Sequence, residues 1–186
     1  MNTLPIDELN NLKSYLNIAI KDISADEIED EVLDILIIGW ANGLEYAGAV
    51  LGESNLDYSD LQTALNHKID GETYVDRLRE HIEAKDIDGI LLVAETESHR
   101  LYNTAVYESA VRSGQEVFKT WETMEDDRVR WEHYELQGVT VPINDVFTTD
   151  DGHSTMFPGG FGVPELDCNC RCFISISTKG ASLNNS

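Results

Sequence analysis

The chain has 186 residues, 41% of them hydrophobic and 26% charged, and 35 Asp and Glu against 13 Lys and Arg give a net charge of −22. That length suits one medium domain, or a helical region followed by a smaller module, and either can bury a core without staples. The acidic balance disfavours direct binding to duplex DNA, and no apolar run approaches the roughly 18 residues of a membrane span, so neither DNA nor a membrane is an expected partner.

Residues 6–20 carry Leu9, Leu12, Leu16 and Ile20 at helical spacing, and Asp7 and Glu8 stand where an export signal would be basic. Ser24 and Glu27 have the spacing of a capping box, in which each side chain satisfies the other residue's backbone N–H. The helix they open is expected to run to about Leu51. Ile28, Val32, Leu36, Trp40, Leu44 and Ala47 line one side of it. Leu33 and Ile37 widen the apolar arc, so burial on more than one flank is expected. Gly52 ends this helix.

A short helix around Ser59 to Lys68 stops at the turn pair Asp70-Gly71, and another carries Tyr74, Leu78 and Ile82. A long helix from Ile87 to Arg112 follows, closed by Gly114. The two long helices, 28–51 and 87–112, are expected to pack as an antiparallel pair. Glu97, His99 and Arg100 on the second read as a solvated face.

The character changes after Gly114. Val117 to Trp121 is rich in strand formers, Gly138 to Pro142 reads as a short edge strand, and Thr148 to His153 as a turn. Gly159-Gly160-Phe161-Gly162 is a loop without the following Lys and helix start of a phosphate-binding loop. Cys170 to Ser177 alternates like a strand. The expected fold class is α+β: a helical region over 1–86, a small domain with antiparallel strands over 87–178, and a flexible tail over 179–186.

Asp127, Arg128, Arg130 and His133 place two guanidinium groups, an imidazole and a carboxylate within seven residues. They read first as a structural network tying this segment to Asn169 and Arg171 near the C-terminus, with Arg171 meeting Asp127 or Glu132. The alternative is catalytic, with Asp127, Arg128 and His133 as acid–base and oxyanion-stabilising groups, although no nucleophile accompanies them. Cys168, Cys170 and Cys172 are odd in number and too closely spaced for ordinary disulfides between neighbours. On a strand they would share one face. They read as small buried thiols with no cofactor; the alternative is zinc held by the three thiolates and His133.

Several of these pieces occur together in a recognisable order. Thr96-Glu97 sits on the long helix, Asp127-Arg128 precedes His133, Gly138 follows, and Asn169-Cys170-Arg171-Cys172 closes the set. The set resembles the phage Mu F-like family of head morphogenesis proteins and spans about residues 90–174. Glu95 stands where that family often has Arg before its Thr-Glu pair.

The resemblance implies a minor head protein of a tailed bacteriophage, acting in head assembly near the portal or carried in the head as an ejected internal protein. Portal or capsid proteins would be its partners. The virion head interior, and the host cytoplasm during assembly, would be its locations. Mu F-like domains also resemble parts of phage-derived toxins. The alternative is therefore an enzyme acting on RNA or a nucleotide through Asp127, Arg128 and His133.

Overall fold

A computed structural model describes residues 5–178; the tail expected at 179–186 lies outside them. Helix α1, Ile6–Ala19, carries Asp7 and Glu8 in its first turn, where acidic groups complement the helix dipole, and buries Leu12 and Leu16. Helix α2, Ala25–Leu51, opens with the Ser24–Glu27 capping box and ends at Gly52, whose φ of 89° suits a residue without Cβ. Helices α3, Tyr58–Leu65, and α4, Tyr74–Ala84, carry capping boxes of their own, Asp57 with Asp60 and Thr73 with Asp76. Between them Asp70 and Gly71 both have positive φ, and Ile69 bridges Glu72 across the tight turn. Helix α5, Ile87–Arg112, is capped by Asp86 accepting from the Gly89 N–H.

Helices α2 and α5 pack along each other, but they run parallel. Gly39 lies against Ser98, Gly43 lies against Tyr102 and Ala105, and the Leu51 carbonyl accepts from Gln115 at 3.0 Å, so advancing along one helix advances along the other. The antiparallel expectation is corrected for a topological reason: α3 and α4 carry the chain back before α5 begins. Two glycines set the separation. A Cβ on Gly39 would come within 2.6 Å of the Ser98 carbonyl oxygen, and one on Gly43 within 2.5 Å of the Tyr102 carbonyl oxygen.

The helix pair serves two apolar clusters. One gathers Leu12, Leu16, Ile28, Leu36, Leu78 and Ile90 among helices α1 to α5. The other joins Ala47, Leu51, Tyr102 and Val106 to the C-terminal strands. Residue 87, where the smaller domain was expected to start, is the first residue of α5, which lines both clusters.

Strand β1, Val117–Glu122, is followed by the single-turn helix α6, Trp131–Tyr134, and by strand β2, Thr140–Pro142. Strands β3, Phe147–Thr148, and β4, Ser154–Thr155, form a small hairpin where the sequence suggested a turn. A second short helix, α7, Pro164–Asp167, leads to strand β5, Phe173–Thr178. The antiparallel sheet has the order β2-β1-β5, with Trp121 opposite Ile174 and Lys119 opposite Ile176. Its strand β2 is an edge, as Pro142 requires. Alternation in β1 sends Val117, Lys119 and Trp121 inward, and all three are buried. The fold is α+β. Among the described residues no helix is long and apolar enough to cross a membrane.

Candidate functional site

Helix α5 is enclosed by α2, by α4 and by the β region, so its polar residues are buried on most sides. Glu97, His99 and Arg100 are 1%, 2% and 2% exposed, which corrects the solvated-face expectation. Glu97 lies between two guanidinium groups: Arg77 Nη2 on α4 at 2.5 Å and Arg100 Nε one turn on at 2.8 Å. Arg100 also donates from Nη2 to the Ala64 carbonyl at 2.9 Å, which ties α5 to the end of α3. Burial pushes the Glu97 carboxyl upward, but Arg100 and Arg77 outweigh it and hold the group below its usual range. His99 has no hydrogen-bond partner on either ring nitrogen among the described residues, and burial lowers its pKa to about 3, so it is neutral.

The same helix holds the C-terminal segment. Thr96 Oγ1 accepts from the Asn169 N–H at 3.1 Å. Asn103 donates to the carbonyls of Pro158 and Cys172 at 3.2 and 3.0 Å and accepts from the Ile174 N–H at 3.0 Å, satisfying loop and strand with one amide. The buried Asp167 accepts from the N–H groups of Phe161 and Gly162 at 3.1 and 2.6 Å. Burial outweighs these bonds and raises its pKa. Lys119 is fully buried, donates to the Met156 carbonyl at 2.7 Å and lies 4.9 Å from the Tyr107 ring centroid. Desolvation lowers its pKa to about 8.

None of Arg77, Asn103, Lys119 or Asp167 was singled out from the sequence. The available signal was α5 itself, a 26-residue helix whose polar residues occupy no single face. Such a helix can satisfy them only against other parts of the protein.

The residues expected to form one network are divided. Asp126, not Asp127 or Glu132, is the partner of Arg171, which grips both carboxylate oxygens at 2.9 and 2.7 Å. The Asp126 pKa is lowered chiefly by this bond. Asp126 is also a turn residue: its Oδ1 accepts from the Arg128 N–H at 3.1 Å, while Asp127 points to solvent. Arg128 is 71% exposed at its side chain, with Nε 3.7 Å from Asp126. Arg130 reaches inward and donates to the Cys168 carbonyl.

His133 is 1% exposed and packs between Trp121 and Phe161, at ring-centroid distances of 5.4 and 5.7 Å. Its Nδ1 lies 3.6 Å from the sulfurs of both Cys170 and Cys172. Arg128 and His133 line one small pocket, and Asp127 lies outside it.

Cys168, Cys170 and Cys172 do not share a face. Cys168 is the half-buried C-cap of α7, and Asn169, at φ 58°, turns the chain before Cys170. Strand β5 begins only at Phe173, later than the alternation suggested. The ligand atoms of His133, Cys170 and Cys172 lie within 4.8 Å of one another, and Cys168 is outside that group. The pKa of Cys170 is raised by its hydrogen bond with Cys172 and by burial, whereas the same bond lowers that of Cys172.

The family model described as Phage Mu protein F like protein matches residues 59–175. Minor head protein GP7 of Bacillus phage SPP1 is 32% identical over 83 residues, covering 44% of this chain and 27% of that protein. The NAD(+)–arginine ADP-ribosyltransferase EFV of Enterococcus faecalis is 38% identical over 85 residues, covering 44% of this chain and 17% of that protein. The chain thus spans less than a third of the length of either curated relative. No solved structure matches it significantly. The family match starts in α3, upstream of residue 90 where the motifs begin, and takes in α4 with Arg77, the partner of Glu97.

Proposed function

Since the chain belongs to the phage Mu protein F-like family, we propose that it is a minor head protein of a tailed bacteriophage that acts in head assembly near the portal. The carrying observation is the family match over 59–175, together with the likeness to a protein named a minor head protein. The charge of −22 supports docking on basic protein surfaces rather than coating DNA. Trp131 and Tyr134 on α6 support a protein contact: they are 67% and 54% exposed, and their rings stack at 6.3 Å. Exposed aromatic pairs of this kind anchor interfaces. In this reading the partners are portal and capsid proteins. The protein resides in the host cytoplasm during assembly and in the head interior afterwards.

The enzymatic alternative draws on the name of the Enterococcus relative, of which the shared segment is a small part. It has less support from the geometry, because Asp127 lies outside the small pocket that Arg128 and His133 line.

The test is isolation of assembling heads from cells making this chain with its cognate head proteins. Co-purification of the chain with portal or capsid protein, weakened by Trp131→Ala with Tyr134→Ala, is the expected result. Heads assembled with normal yield and without this chain would overturn the reading.

A further inference from the structure

His133 Nδ1 stands at equal distance, 3.6 Å, from the sulfurs of Cys170 and Cys172, and all three residues are buried. A single imidazole nitrogen has either one lone pair or one N–H, so it serves one thiol well and not two equally. Three soft donors around a common point describe a different object. A tetrahedral zinc ion, with Zn–S of about 2.3 Å and Zn–N of about 2.0–2.1 Å, holds its sulfur and nitrogen ligands about 3.5–3.6 Å apart. Both sulfur–nitrogen distances here match that separation.

We propose that His133, Cys170 and Cys172 form a zinc site with water as the fourth ligand. The site fastens α6 to the segment entering β5. Adjoining the three donors is a pocket of about 10 Å³, lined among others by Val129, Arg130 and Asn169, with room for about one water. Binding releases two thiol protons to solvent, and the two thiolates cancel the charge of the dication, so the buried cluster is neutral. The fold itself excludes Cys168, which corrects the four-residue ligand set drawn from spacing alone.

The experiment uses the full chain, reduced, stripped with a chelator and titrated first with Zn²⁺ and separately with Co²⁺. The expected result is about one zinc per chain by elemental analysis, and a cobalt form with thiolate charge-transfer bands and intense visible absorption from tetrahedral coordination. Cys170→Ser and Cys172→Ser should each abolish both signals, and Cys168→Ser should retain them. Because the first two variants could fail to fold, the cobalt spectra of the parent and of Cys168→Ser carry the decision independently. Failure of the reduced parent to take up either metal overturns the proposal. So does loss of the cobalt bands in Cys168→Ser.

Discussion

The backbone N–H of Asn169 donates to Oγ1 of Thr96 at 3.1 Å, joining residues 73 positions apart. Two turns along α5, Asn103 fixes the same C-terminal segment through three hydrogen bonds. Helix α5 is thus the post on which the last strand is hung. Replacing Asn103 by Ala leaves two carbonyls and one N–H buried without partners. The variant should lose about 1–3 kcal/mol of stability, read as a lower urea midpoint at unchanged slope.

Glu97 neutralises two guanidinium groups inside the protein. Glu97→Ala strands both and should cost about 3–5 kcal/mol, because an unpaired buried charge is costlier than a pair. The acid limb of stability carries the same signature. The folded carboxyl ionises below its unfolded value of about 4.3. Its contribution is therefore complete above that value and is lost as pH falls through the lower, folded one. Chemical denaturation of parent and Glu97→Gln between neutral and acid pH should show the two curves converging in acid. Parallel curves would contradict the assignment.

Lys119 gives the opposite limb. Its folded pKa of about 8 lies below the usual lysine value, so between the two the unfolded chain binds the extra proton. Stability from this residue should rise as pH increases through that window. Tyrosines and thiols also titrate there, so the informative quantity is the difference between the parent and Lys119→Met. That difference should shift in favour of the parent as pH rises from 8 to 10.

The close parallel approach of α2 and α5 depends on Gly39 and Gly43. Adding a methyl at Gly39 places carbon 2.6 Å from the Ser98 carbonyl oxygen, and only backbone separation relieves it. Gly39→Ala should cost about 1–3 kcal/mol despite its better helix propensity. Gly48→Ala, where an added Cβ meets nothing within 4 Å, should be neutral or stabilising. Thermal melts of the two variants compare the same chemical change in the same helix.

Charge governs association. With 35 acidic and 13 basic residues the chain should not bind duplex DNA at physiological salt, since its net charge of −22 repels the phosphate backbone. Its association with a basic head protein should slow as salt rises. Fluorescence anisotropy with labelled duplex and stopped-flow mixing with the partner measure the two effects. Tight, salt-dependent DNA binding by the isolated chain would contradict both.

The sequence by itself determined the features that depend on neighbours along the chain. The bounds of α2 and α5, the Ser24–Glu27 cap, the Asp70-Gly71 turn and the edge position of β2 follow from side-chain period, capping chemistry and the missing N–H of Pro142. The ordered motifs from Thr96-Glu97 to Asn169-Cys172 likewise carried the family.

Tertiary structure decided what surrounds each residue. Arg77 comes to Glu97 from α4, a helix whose position no local pattern encodes, and this contact converts an apparently solvated face into a buried ion cluster. Arg171 selects Asp126 over Asp127 because the turn at Asp126 aims only that carboxylate at the guanidinium. Asn169 breaks the alternation of the cysteines, so Cys170 and Cys172 meet His133 while Cys168 does not. Period and propensity are properties of a single segment. Burial and pairing belong to the several segments that the folded chain brings together.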